Sequence, residues 1–344
     1  MKIIINCLVL VFLFGCPSQP EILVSTIEVS SEDSLRNLLA DIMSLPSEST
    51  DEVSYELIST DETNTYILQQ FSIQSQYGDQ IPAYLLTPKN LPPPYPVMIT
   101  LQGHAPGMYI SVGEARTERD EKLIAGGRDI ALQAIANGWA ALTIEQRGFG
   151  EQAQEGVVCN DLSLRELMRG KPMLGQRVAD VMRGIDFIET QDDLNADLIG
   201  CMGNSAGGTV SYFAACMDER IKLSVVSCSF CTYERSWLKY HHCACGYLPG
   251  LLEVADMPDL AELIAPRHLL IVAGKEDYIA DIEGVRDGYA TARAIYQQQN
   301  ALDHVALLEG DGGHQFYPDL AWPVINTIKN NLLYENSEPT QTDL

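Results

Sequence analysis

Asp197-Leu198-Ile199-Gly200-Cys201-Met202-Gly203-Asn204-Ser205-Ala206-Gly207-Gly208 decides the fold of this 344-residue chain. An apolar run ends in Gly-x-Ser-x-Gly, and a helix-compatible segment, Thr209 to Met217, follows at once. A strand, a sharp turn and a helix in that order form a nucleophile elbow. The turn strains its central residue, so small neighbours are needed where the backbone crowds, and Gly203, Gly207 and Gly208 supply them. The serine hydroxyl is then exposed above the strand ends, with the Ala206 N–H aimed at the same point.

The pattern on either side supports a sheet built around that strand. Upstream, strand-like runs at Tyr55–Ser59, Tyr66–Gln74 and Ile81–Thr87 come first, the last two flanking a hairpin signal, Tyr77-Gly78-Asp79-Gln80. Strands at Val97–Leu101, Trp139–Ile144, Leu198–Met202, Ile221–Ser227, His268–Ala273 and Val305–Leu308 then alternate with helices. Those helices are predicted at Leu174–Glu189, after Ser205, at Ile282–Gln298 and at about Ala321–Leu333. Antiparallel strands followed by β-α repeats predict an α/β fold with a mostly parallel central sheet and helices on both faces. Residues 31–334 read as one domain, opened by an amphipathic helix after Ser30-Ser31-Glu32-Asp33. Residues 230–258, rich in Cys, Tyr, Leu and Gly, interrupt the alternation and read as a small cap. A polar tail covers 335–344.

A serine hydroxyl is a weak nucleophile at neutral pH and needs a base held by an acid. After an elbow of this kind the partners follow in the order acid, then histidine. The loop after His268–Ala273 reads Gly274-Lys275-Glu276-Asp277, and the loop after Val305–Leu308 reads Glu309-Gly310-Asp311-Gly312-Gly313-His314. Asp277 is the predicted acid, with Glu276 and Asp281 as alternatives, and His314 the predicted base. Strand Val97–Leu101 runs into Gln102-Gly103-His104, where a second oxyanion donor belongs. The backbone N–H groups of His104 and Ala206 are the expected pair.

Composition sets outer bounds. Lys+Arg 22 against Asp+Glu 47 gives a formal charge of −25, which argues against nucleic acid and anionic membrane surfaces as partners. The start, Met1-Lys2 followed by an apolar run from Ile3 to Phe14, is too short for a spanning helix and suits an export leader. It ends Leu13-Phe14-Gly15-Cys16, similar to a bacterial lipobox. Residues 1–16 are therefore predicted to be a lipoprotein signal with Cys16 lipidated, and residues 17–30 a tether. The expected location is the cell envelope, periplasmic or at the surface, with membrane contact only through the lipid.

Beyond that leader stand Cys159, Cys201, Cys216, Cys228, Cys231, Cys243 and Cys245. Cys201 and Cys216 flank the elbow and read as core. Cys228-x-x-Cys231 with His241-His242-Cys243-Ala244-Cys245 is open to three readings: zinc, disulfide, or free buried thiols. The working expectation is no metal and no cofactor.

These residues together resemble the α/β-hydrolase superfamily over roughly 55–333, and within it the dienelactone hydrolase and acetyl xylan esterase-like group. The segments carrying the likeness are Ile81-Pro82-Ala83-Tyr84-Leu85-Leu86, Glu145-Gln146-Arg147-Gly148-Phe149-Gly150, Arg183-Gly184-Ile185-Asp186-Phe187, Ala265-Pro266-Arg267-His268 and Gly312-Gly313-His314-Gln315-Phe316-Tyr317. Acetyl xylan and cephalosporin-C deacetylases usually carry Gln after the serine and Glu after the histidine; here Ala206 and Gln315 stand there. The resemblance implies a secreted serine hydrolase that cleaves carboxylic esters through an acyl-enzyme, acting on an acetyl xylan-like carbohydrate ester or a short-chain acyl ester. It also implies that Arg147 braces the catalytic loops. An oligopeptidase-like serine peptidase is the alternative, although such enzymes carry a large N-terminal propeller for which 344 residues leave no room.

Overall fold

A computed structural model describes residues 3–10, 22–29, 31–47 and 52–335. Ile3–Leu10 (β1) and Ile22–Val29 (β2) pair antiparallel in a two-stranded sheet of their own. The expected leader and tether include this pair, whereas Cys16 lies outside the described residues, as does the expected tail beyond Glu335. Glu32–Met43 (α1) follows, capped by Ser31, whose hydroxyl accepts the Ser34 N–H at 3.2 Å. Its Leu35, Leu39 and Met43 are buried, which is the apolar face the periodicity predicted.

The main sheet opens with Tyr55–Glu62 (β3), Tyr66–Gln74 (β4), Gln80–Pro88 (β5) and Tyr95–Leu101 (β6). Short helices Glu118–Leu123 (α2) and Ile130–Ala136 (α3) lead to Ala140–Ile144 (β7). Cys159–Met168 (α4) and Met173–Glu189 (α5) precede Leu194–Asn204 (β8), Ala206–Met217 (α6) and Ile221–Ser227 (β9). His268–Gly274 (β10), Ile282–Gln298 (α7), Val305–Gly310 (β11) and Pro318–Glu335 (α8) complete the described residues.

Among the described residues nine strands form one sheet in the order β11-β10-β9-β8-β6-β7-β5-β4-β3. From β11 to β7 every pairing is parallel, and from β7 through β5 and β4 to β3 every pairing is antiparallel. This is the expected fold class. Alternate residues of each central strand enter different cores. Val97, Ile99 and Leu101 of β6 join α1, α5, α6 and α7 on one face, while Met98 joins α3 and α8 on the other. Both faces are covered, which is why these strands read as continuous apolar runs.

Helices α2, α3 and α4 were not legible. The first two have six and seven residues, too short for a helical period to declare itself. In α4, Leu164 and Met168 face solvent and blur the stripe. The expected cap between β9 and β10 holds only short 3-10 segments, at Tyr233–Arg235, Ala244–Gly246, Leu251–Glu253 and Met257–Leu263. Among the described residues no helix is long and apolar enough to cross a membrane.

Candidate active site

The elbow is present as predicted in shape. Ser205 sits between β8 and α6 with φ 57° and ψ −125°, a conformation that costs a non-glycine residue about 1–3 kcal/mol. Its surroundings over-determine it. The Ser205 N–H donates to the Ser227 carbonyl at 2.8 Å, and its own carbonyl accepts from Thr209 N at 3.0 Å. A Cβ on Gly203 would overlap the Gly207 backbone, and one on Gly207 would overlap the Leu101 carbonyl, so α6 seats against the strand ends only because both lack side chains. The Ser205 hydroxyl makes no hydrogen bond among the described residues and opens on a cavity of about 650 Å³.

Asp277 and His314 arrive from the ends of β10 and β11, and their loops are joined through the backbone. Lys275 N donates to the Gly310 carbonyl and Glu276 N to the Gly312 carbonyl, both at 2.9 Å. The result is a His314 Nδ1 to Asp277 Oδ2 contact of 2.8 Å, with side-chain exposures of 12% and 1%. Burial alone would raise the Asp277 carboxyl. The His314 hydrogen bond and charge, with the N–H groups of Ile279 and Ala280 at 3.0 and 3.3 Å, outweigh burial and hold it below the usual carboxylate range. The Asp277 carboxyl is therefore ionised and holds the Nδ1 edge of an imidazole that lines the same cavity as Ser205. Of the alternatives, Asp281 pairs with Lys239 at 2.9 Å, and the Glu276 backbone serves in the loop junction.

The loop after β6 supplies the third wall. A Cβ on Gly103 would stand 2.9 Å from Ser205 Cβ, so the backbone entering His104 abuts the serine. Gln102 anchors this loop by donating to Ser111 Oγ at 2.6 Å and to the Arg128 carbonyl at 2.7 Å. Glu145 takes the Met108 N–H at 3.1 Å. Ala206 opens α6, where the first N–H groups lack intrahelical partners. His104, Ser205, Ala206 and His314 all line the one cavity, and Asp277 stands directly behind His314.

Arg147 does not line that cavity. Its guanidinium bridges Asp79 in the β4–β5 turn, at 2.6 and 2.9 Å, to buried Asp180 of α5, at 2.7 and 2.8 Å. It ties the sheet's antiparallel edge to the helix preceding the elbow, a bracing position consistent with the resemblance.

Two features of the cavity were not foreseen. Arg128, 6% exposed, lines it with a guanidinium that makes no ion pair among the described residues; burial pulls its pKa below the ordinary arginine value. Arg119 is a second cation on the wall, and among the described residues no aspartate or glutamate lines the cavity, in a chain carrying −25. Nothing in the irregular stretch around Gly126-Gly127-Arg128 signals this at sequence level. Trp237 and His242, of the expected cap, also line the cavity and stack at 4.0 Å between ring centres. Burial, then the charges of His314 and His241, lower His242 to about 4 and keep it neutral.

The cysteines are also sorted differently from the sequence pairing. Cys201 and Cys216 are core, as expected. Cys228 lies against Asp277 and His314, its thiol pushed up to about 12 by burial and then by the Asp277 charge, and it donates to the Gln315 carbonyl at 3.2 Å. Cys231 faces the Asp281 carbonyl at 3.7 Å. Cys243 and Cys245 leave that pair and meet Cys159 and the imidazole of His104.

No protein-family model matches the chain. YtaP of Bacillus subtilis, described as a candidate hydrolase, is 26% identical over 265 residues, covering 76% of this chain and 87% of YtaP. Among solved structures, a candidate acetyl xylan esterase from Bacteroides fragilis superposes with a TM-score of 0.69 at 19% identity, covering 81% of this chain and 74% of that one. A glucuronoyl esterase from Solibacter usitatus gives a TM-score of 0.66 at 14% identity, covering 88% and 92%. Acetyl xylan esterase 1 from Thermoanaerobacterium gives 0.58 at 16%, covering 88% and 94%. The chain has the α/β-hydrolase fold of these proteins.

Proposed function

We propose that this protein is a serine hydrolase of carboxylic esters that works through an acyl-enzyme. The observation that carries the reading is the Asp277–His314 pair at 2.8 Å, set across one cavity from a serine at a strained elbow. In acylation a bond forms between Ser205 Oγ and the ester carbonyl carbon. His314 takes the hydroxyl proton and passes it to the alkoxide as the carbon–oxygen bond breaks. Water, deprotonated by the same imidazole, then releases the acid. Asp277 fixes the imidazole tautomer, and the N–H groups of His104 and Ala206 receive the oxyanion, each donor worth about 10²–10³ in rate.

Support for the substrate class comes from the neighbours, which include acetyl xylan and glucuronoyl esterases. A carbohydrate ester is the first reading, and a short-chain acyl ester is its simpler form. Export as a lipoprotein through Cys16 fits polysaccharide breakdown outside the cell. Arg119 and Arg128 on a wall without carboxylates favour an ester whose sugar carries a negative charge. The peptidase alternative has no structural feature in its favour.

The test is hydrolysis of p-nitrophenyl acetate, acetylated xylo-oligosaccharides and alkyl esters of glucuronic acid by the full chain and by Ser205→Ala. Turnover is expected to fall about 10⁴–10⁶-fold in the variant, and a fluorophosphonate should label the parent at Ser205 alone. Equal rates, or amide cleavage without ester cleavage, would remove this reading.

A further inference from the structure

We propose that His104 Nε2 and the thiolates of Cys159, Cys243 and Cys245 bind one zinc ion, closing a tetrahedral Cys₃His site at the wall of the catalytic cavity. The geometry carries this. The four donor atoms lie within 4.8 Å of one another. Cys243 Sγ stands 3.8 Å from Cys159 Sγ, and Cys245 Sγ 3.4 Å from His104 Nε2. Tetrahedral zinc, with Zn–S of about 2.3 Å and Zn–N of about 2.0–2.1 Å, requires sulfur–sulfur edges of about 3.8 Å and sulfur–nitrogen edges of about 3.6 Å. A disulfide needs sulfurs at about 2.05 Å, and all three cysteines are free.

The ligands are held by groups around them. Ala244, between the two cap cysteines, donates its N–H to Asn160 Oδ1 at 3.0 Å, pinning the Cys-x-Cys turn to the α4 residue next to Cys159. The His104 ring packs edge-on against Phe149 at 5.2 Å. Such outer contacts fix ligand direction.

Charge supplies an independent argument. Arg177 is almost wholly buried and makes no ion pair with a carboxylate among the described residues; the nearby Asp180 is bonded to Arg147. Its guanidinium instead donates to the Arg147 carbonyl at 2.6 Å and to Cys159 Sγ at 3.3 Å. A buried cation needs a counter-charge. Zn²⁺ with three thiolates and neutral histidine carries −1, complementary to the Arg177 guanidinium that touches Cys159 Sγ. On binding, the thiols that are still protonated release their protons to solvent, and no redox partner is involved.

Four protein ligands leave no open position, so the ion is structural. It joins three segments distant in sequence: the loop after β6, the start of α4 and the cap. The imidazole it holds belongs to the residue whose N–H is proposed to receive the oxyanion. This departs from the expectation of no metal, which weighed Cys228 and Cys231 as partners of the cap cysteines and did not consider Cys159.

The test is metal content of the full chain purified from zinc-supplemented culture, with X-ray absorption at the zinc edge. One zinc per chain is expected, with a three-sulfur, one-nitrogen shell. Cys243→Ser and His104→Ala should each lower zinc retention at least tenfold, while Ser205→Ala keeps it, so the outcome is independent of the esterase reading. Because a ligand variant that unfolds would also lose zinc, the parent is stripped with a chelator under reductant and refilled with Co(II). Stoichiometric uptake with thiolate charge-transfer absorption and tetrahedral d–d bands supports the site. Failure of the folded, stripped chain to take up either metal, zinc retained in full by both variants, or a disulfide among these cysteines would overturn it.

Discussion

The elbow with its partner loops and the cap over them are two opposite ways of building a site. Ser205, Asp277 and His314 are held by backbone: strand ends in register, N–H to carbonyl bonds between loops, and glycines where the chain crowds. The expected cap between β9 and β10 has only short 3-10 segments and is tied down mainly by side chains: Tyr212 donates to the Met257 carbonyl at 2.7 Å and Ser236 to the Ile279 carbonyl at 2.6 Å, while Trp237 stacks on His242 within it. Backbone-held parts fix the atoms that the proposed reaction uses. Side-chain-held parts set what reaches them and can change without disturbing the chemistry. Substitutions in the first should therefore act on every ester alike, and those on the cavity wall should discriminate between esters.

The largest expected effect after loss of the nucleophile is at the acid. Asp277→Asn keeps the size of the side chain but lets its amide face His314 Nδ1, favouring the wrong tautomer. A loss of about 10³–10⁴ in kcat/KM is expected, equal for neutral and acidic esters. A loss confined to one substrate would break the division between the two regions.

Arg128→Met tests the other side. Removing a guanidinium that has no ion pair among the described residues should lower kcat/KM for a glucuronate ester by about 10–10²-fold and leave p-nitrophenyl acetate within about threefold. An equal loss on both would move Arg128 from selecting the substrate to stabilising the oxyanion.

The same division explains what the sequence disclosed. The sheet was legible because buried parallel strands must be apolar runs; Tyr66–Gln74 and Ile221–Ser227 match their predicted bounds. The Ser, Asp and His candidates were legible because an elbow and two glycine-marked loops are local backbone events. Arg128 and Cys159 were not, because their roles depend on partners brought near only by tertiary packing; Cys159 is 84 residues from Cys243. A cysteine read alone is a small apolar residue. The cap cysteines were singled out, but sequence proximity pointed to Cys228 and Cys231, which the fold turns elsewhere.

The last effect sharpens the boundary between the two modes, at a side chain that serves the backbone-held loop. Glu145 is 3% exposed and receives the Met108 N–H. Burial raises its pKa from 4.5 to about 7 despite the N–H bonds from Met108 and Glu151. A carboxyl whose folded value is raised favours the fold while protonated. Its contribution is fully present below about pH 4.5 and is lost as pH rises through about 7, because the unfolded chain ionises first. Unfolding stability of the parent should therefore fall across that window relative to Glu145→Gln, by about 3 kcal/mol, in denaturant titrations at a series of pH values. Glutamine keeps an acceptor for Met108, so the two chains should stay alike in the fold and differ in slope. Parallel curves would mean that Glu145 ionises as readily in the fold as out of it, and that the loop beside Ser205 is more open to water than its packing implies.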